Sequence, residues 1–354
     1  MNMTDGNSKP LYYSDYIELD KILNSQHPRS FLLPHRADDE MLFIIVHQTY
    51  ELWFKQIIFE LDLVRAIFAQ KRINDNSPDM STAVHKLKRV GKILELLIQQ
   101  FRVLETMLPL DFLEFRSLLV PASGFQSKQF RLIEAKLGLK MGYRYMAHYY
   151  KHTNRGGFSQ TDLDGINTVE REETLKDSIV EWLERMPFFD ERFWGEYEAI
   201  RGPEAEARHP FWIDYRKAYR DSLADDEEGG MGRFDEVFFE KGVGDFFPRA
   251  MRAALFIMLY RNLPVFQRPF ELLNSLIEID ELLSDWRYRH LLMVRRMIGM
   301  RVGTGGTKGA SYLEGTLSRH FVFKELTEIT TFIVARSRLP KIPRTLMEKL
   351  SFSS

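Results

Sequence analysis

The chain has no cysteine in 354 residues. That single absence removes disulfides, thiolate-ligated or covalently attached haem, iron–sulfur clusters, cysteine zinc sites and cysteine nucleophiles together. Any metal must then be held by His, Asp, Glu or Tyr. Excess charge of one sign is missing too. Forty-nine Lys and Arg face 50 Asp and Glu, so no net field draws in nucleic acid or an anionic membrane surface. No apolar run approaches the roughly 18 residues that span a bilayer. The opening MNMTDGNSKP is polar, with no hydrophobic signal region. These features predict a soluble, cytoplasmic protein with no nucleic-acid or membrane partner. Alternating strand patterns and hairpin dipeptides are also lacking, as are an HExxH zinc motif and a serine nucleophile elbow.

What is present is helical periodicity and ample apolar material, 44% of residues including 27 Phe, enough for a sizeable core. The fold class expected is all-α, a helical bundle over 1–354 as a single domain. Helices are predicted for Leu11 to Leu23, Met41 to Phe68, Ser81 to Leu108, Leu110 to Leu119, Gln126 to Leu137, Glu170 to Arg185, Phe246 to Tyr260 and Glu271 to Ile298. Asp38, Asp39 and Glu40 suit the positive end of the second helix's dipole. Gly142 to Thr168 has no clear period and reads as a surface or lid segment. The charged stretch 193–244 reads as a peripheral helical excursion with a solvated acidic loop.

Candidate chemistry begins at His290. It is the polar member of the seam Leu276, Ile279, Leu283, Trp286, His290, Met293, Met297, whose steps of three and four keep side chains on one helix face. His47 occupies a similar place, sharing a face with Phe43, Tyr50 and Phe54. Each fits either a core imidazole satisfied by its surroundings or a ligand. Arg116 has Phe112, Leu113, Leu119 and Val120 at helical contact distance, so no local carboxylate pairs with it. It is half of a distant salt bridge, a snorkelling surface arginine, or a clamp for a substrate carboxylate. Gly303-Thr304-Gly305-Gly306-Thr307-Lys308-Gly309 follows a helix and matches neither a Walker A loop nor a dinucleotide fingerprint. It is either a flexible linker or a loop that closes on a polar ligand through backbone amides and the Thr304 hydroxyl. His148 and His152 share a helical spacing but lack a third metal ligand in any recognisable position.

Taken together, YSDYIELDKIL, DEMLFIIVHQTYELWFKQIIFELD, DFLEFRSLLVPASGFQSKQFRLIE, FWGEYE, PFELLNSLIEIDELLSDWRYRHLLMVRRMIG and GTGG followed by SYLEGTLS resemble the tryptophan 2,3-dioxygenase family. They cover about residue 12 to about residue 320 in family order. The resemblance implies a helical haem-dioxygenase fold holding one haem b per subunit, ferrous in the active form, with dioxygen as co-substrate. His290 matches the proximal iron ligand. His47 matches the distal histidine that contacts the indole nitrogen, and Phe43, Phe112 and Leu119 match residues lining the indole pocket. Arg116 matches the residue pairing with the substrate carboxylate, Thr304 one at its ammonium and carboxylate end, and Ser123 one near the distal haem face. Tyr13, Tyr16 and Ile17 match residues that reach a neighbouring subunit's pocket, which implies a homotetramer arranged as a dimer of dimers.

The implied reaction opens the indole C2–C3 bond of L-tryptophan and places both oxygen atoms in N-formyl-L-kynurenine, the first step of the kynurenine pathway. Two departures stand out. Asp38-Asp39-Glu40 replaces the usual His-Asp-Glu, and Thr307 and Lys308 replace the usual serines after GTGG. Lys308 brings a cation into the loop expected to close over substrate. Two alternatives compete with this function: a haem mono-oxygenase that makes an oxindole from a modified tryptophan, and a non-catalytic haem or tryptophan sensor on the same fold.

Overall fold

The computed structural model describes residues 10–70, 73, 77–141, 144–145, 157–186, 209–225, 227, 229–304, 309–317 and 319–349. Among them every regular element is helical, and the one pairing of extended backbone is an isolated bridge between Val243 and Phe246. The architecture is all-α, as the periodicity indicates. Three long helices form its centre: α3 (Asp39–Phe68), α4 (Pro78–Leu104) and α12 (Pro264–Ile298). α4 packs against both others.

Each long helix follows from its sequence. On α3, Val46, Tyr50, Phe54, Ile57, Leu61, Val64 and Phe68 are buried, a three-and-four stripe facing the core. Ile57, Leu61 and Val64 are wholly shielded from solvent, worth about 1.5–3 kcal/mol apiece. The acidic start does more than oppose the dipole. Glu40 is buried and accepts the backbone N–H groups of Arg29 and Ser30 at 2.8 and 2.7 Å, fixing the chain that enters the helix. α4 is capped by the Ser77 hydroxyl, which accepts from the Met80 N–H, with Pro78 in the first turn. α12 ends where Gly299 takes φ 58° and donates its N–H to the Arg295 carbonyl.

Around this centre, α1 (Tyr13–Tyr16) and α2 (Leu19–Leu23) are two short turns rather than one helix, because Glu18 adopts φ 49° between them. α5 (Pro109–Arg116) runs into a 3-10 turn over Ser117–Leu119, and α6 (Lys128–Leu137) packs on α3. α7 (Gln160–Val169) lies where no period was evident, started by Ser159 accepting from the Asp162 N–H. α8 (Leu175–Glu184) begins at a capping box between Thr174 and Asp177. Residues 170–173 are therefore a turn between two helices, not the first turn of one.

The stretch assigned to a peripheral excursion carries α9 (Pro210–Arg220), α10 (Gly230–Asp235) and a π turn over Glu236–Glu240. Its Phe211, Trp212, Tyr215, Phe234 and Phe238 are buried in the same cluster as the core of α3, α4 and α12. α11 (Pro248–Leu259) is buried on nearly every side and packs on α8, and α13 (Gly309–Leu317) lies along α12. α14 (Lys324–Glu328) and α15 (Arg344–Lys349) complete the described chain. No helix among the described residues is long and apolar enough to cross a membrane.

Candidate active site

A cavity of about 1500 Å³, open solvent at its mouth included, lies between α3, α5, α6, α12 and α13. Phe43, His47, Phe112, Arg116, Ser123, His290 and Thr304 all line it. Seven residues proposed from sequence, spread over 262 positions from 43 to 304, thus share one enclosure. Leu119 is not among the lining residues and packs instead against the main core. Tyr13 and Tyr16 are exposed at 73% and 72%, and neither they nor Ile17 lines this chain's own cavity. Gly305 to Lys308, His148, His152 and much of the Gly142 to Thr168 segment lie outside the described residues.

The two imidazoles have opposite polar settings. His47 Nδ1 lies 2.7 Å from the Phe43 carbonyl oxygen, one turn back on α3. A carbonyl only accepts, so Nδ1 carries the proton and Nε2 keeps a free lone pair. Burial lowers the His47 pKa below its usual value, opposed by the Phe43 hydrogen bond and the Glu51 charge. Its ring is 4.1 Å from that of Phe43, which in turn contacts Phe112 and Phe115 at 5.8 and 5.6 Å. The result is an apolar aromatic wall with one acceptor nitrogen in it.

His290 stands on α12 between Trp286, 5.2 Å away by ring centroid, and Phe101, stacked at 6.1 Å. Its Nδ1 is buried with no hydrogen-bond partner. Burial, helped by the proximity of His47, pushes its pKa down to about 4, so the ring is neutral at physiological pH. A buried, neutral imidazole facing a cavity has the donor chemistry of an axial metal ligand. Among the described residues no group of three or more His, Cys, Asp or Glu converges as a metal cage. A metal already held by a macrocycle needs only such a single imidazole. The residues present therefore fit the haem that the resemblance implies.

Arg116, at the end of α5, donates from Nη2 to the Val302 carbonyl, just before Gly303 and Thr304. Its Nε is buried without a partner, and among the described residues no carboxylate pairs with it. Among the described residues the distant salt bridge is not made, and a guanidinium with unused donors lines the cavity. Ser123 turns the chain beside it: its hydroxyl accepts from the Phe125 N–H, while Gln126 Oε1 accepts the Ser123 N–H at 3.1 Å.

One part of the wall was not foreseen. Glu134 on α6 is buried and takes Arg131 Nη1 at 2.9 Å, Arg287 Nη2 at 2.9 Å and His320 Nδ1 at 3.3 Å. The backbone N–H of Tyr145 donates to His320 Nε2 at 3.0 Å, which places the ring proton on Nδ1, toward Glu134. Burial would push the Glu134 carboxyl up. The charges of Arg131 and Arg287 and the His320 hydrogen bond together hold it well below the usual range. All four side chains line the cavity. Arg131 and Glu134, three apart on a helix, were the one local signal; Arg287 and His320 join them only through tertiary folding.

The chain matches the family described as Tryptophan 2,3-dioxygenase over residues 2–333. It is 40% identical to a tryptophan 2,3-dioxygenase from Bdellovibrio bacteriovorus, over 97% of this chain and 98% of that protein. The protein of the same name from Dictyostelium discoideum is 39% identical, over 98% and 89%. That from Rattus norvegicus is 41% identical, over 94% and 84%.

Proposed function

The chain belongs to the tryptophan 2,3-dioxygenase family, and from that premise we propose how its own residues carry out the reaction. The protein is an oxidoreductase that inserts dioxygen across the indole C2–C3 bond of L-tryptophan, giving N-formyl-L-kynurenine. The observation that carries the site assignment is the convergence on one aromatic cavity of two imidazoles whose pKa burial lowers and a guanidinium with no carboxylate partner among the described residues. Neither the oxindole-forming mono-oxygenase nor the sensor has an observation in its favour.

The family is haem-dependent, and we assign one haem b per subunit to this cavity, where His290 would hold the iron. When bound, ferrous haem supplies the site at which dioxygen is activated, and both oxygen atoms enter the product. The chain's part is placement, polarity and exclusion of water. His47 offers an Nε2 lone pair, held by the Nδ1–H bond to Phe43, to the indole N–H. Phe43 and Phe112 enclose the ring. Arg116 binds the carboxylate through its unused donors, and Thr304 takes the ammonium end. Ser123, in the cavity wall, would lie close to the bound haem.

Exposure of Tyr13 and Tyr16 supports a role for α1 and Ile17 in a neighbouring subunit's site, hence a homotetramer arranged as a dimer of dimers. We assign the enzyme to the cytoplasm. The reading is tested by loading the protein with haem, reducing it and adding L-tryptophan and oxygen. Formylkynurenine absorbance is expected, and haem loading without that product rejects the assignment.

A further inference from the structure

The buried cluster on the cavity wall is assigned no part in holding tryptophan, and it stands one helical turn from His290. Arg287 precedes His290 by three residues on α12, and both terminal nitrogens of its guanidinium are engaged. Nη2 donates to Glu134 at 2.9 Å, Nη1 to the His320 carbonyl at 3.0 Å, and the plane lies 6.0 Å over the Phe130 ring. Glu134 is held in turn by Arg131 from its own helix and by His320 from the chain beyond α13. A single carboxylate therefore joins α6, α12 and the segment after α13 around the turn that presents His290.

Burying such a cluster is energetically costly, and well-packed apolar side chains hold helices together at least as firmly. What directional charge-assisted bonds add is geometry: a planar guanidinium with two fixed partners sets both the rotation and the height of the turn that carries it. An apolar contact would tolerate sliding. We propose that Glu134 is a positioning residue for His290, acting through Arg287, and that His320 fixes Glu134 from the opposite side. The proposal rests on His290 being the axial ligand of a bound haem.

A matched control exists in the same molecule. Glu325 is equally buried and pairs with Lys176 at 2.9 Å, but does not line the cavity. Haem-loaded wild type, Glu134→Gln, Glu325→Gln and His290→Ala would be compared by haem transfer to apomyoglobin, by the iron–histidine stretching band of the ferrous form and by thermal midpoint. Glu134→Gln is expected to speed haem loss roughly 10- to 100-fold, the usual scale for partners one shell out from a metal ligand, and to move the stretching band. Glu325→Gln should lower the thermal midpoint while leaving haem loss and the band unchanged. If Glu134→Gln does not accumulate as folded protein, His320→Gln carries the same two readouts, with a smaller shift in the same direction. An unshifted band and unchanged haem loss in the Glu134 or His320 variant, with the band abolished in His290→Ala, overturns the positioning role alone. A band that survives in His290→Ala overturns the ligand assignment beneath it.

Discussion

Replacing Arg116 by alanine separates substrate clamping from every other role of the α5 end. The guanidinium has five N–H donors. One nitrogen is spent on the Val302 carbonyl and the Nε is buried unpartnered, leaving a pair of donors for a carboxylate. Two charge-assisted hydrogen bonds would be worth about 1.5–3 kcal/mol each in a closed site. Arg116 is only half-buried before substrate arrives, so solvent screening brings the total down to or just below the low end of that sum, about 2–3 kcal/mol. At about 1.4 kcal/mol per decade this is a 30- to 150-fold weakening of L-tryptophan binding. The assay is a spectroscopic titration of the haem-loaded protein with L-tryptophan and, in parallel, with tryptamine, which lacks the carboxylate. The alanine variant should lose affinity for tryptophan and keep its affinity for tryptamine, and Arg116→Lys should recover part of the loss. Equal weakening toward both ligands would refute the clamp and reduce Arg116 to a brace for the loop at Val302.

Further outcomes follow from single residues. His290→Ala should abolish the wild-type axial ligation, read as loss of the native Soret position on haem loading, while far-ultraviolet circular dichroism stays helical. His209 accepts the Phe211 N–H at the start of α9, and burial lowers its pKa to about 4. Its folded pKa lies below the ordinary 6.5, so its stabilising share is complete above pH 6.5 and is lost as pH falls toward 4, on the order of 3 kcal/mol in full. His209→Asn keeps a capping acceptor without the titration, and its thermal midpoint should fall less than wild type's between pH 7 and pH 5. Gly315 has no room for a side chain, since a Cβ there would sit 2.4 Å from the Tyr145 ring. Gly315→Ala should lower stability by about 1–3 kcal/mol, seen as a reduced urea midpoint at unchanged slope.

The centre of this fold was legible because α3, α4 and α12 sustain one apolar stripe over many turns, where the helical period is unmistakable. Short helices were harder. α7 has only Leu163 and Ile166 buried, too few repeats to show a period, and its start depends on the Ser159 cap. Pro264 and Pro269 delayed the expected start of α12 to Glu271; Pro264 holds the first helical position, where proline is tolerated, whereas Pro269 lies inside the helix and forgoes one backbone hydrogen bond. In 193–244 the abundance of charge hid Phe211, Trp212, Tyr215 and Tyr219, which are spaced for one helix face and are buried. Candidate site residues that line the cavity stood out where the setting was anomalous for a core: an imidazole in an apolar seam, an arginine with no local acid. Glu134, Arg287 and His320 lie among ordinary helical surroundings in sequence, and only tertiary packing makes them a cluster.

The central claim is that this cavity opens the indole ring with both atoms of dioxygen. Mass spectrometry of the product formed by haem-loaded, reduced protein from L-tryptophan under oxygen-18 gas tests it most directly. A ring-opened product carrying two labels is predicted; a closed-ring product carrying one label would contradict the account.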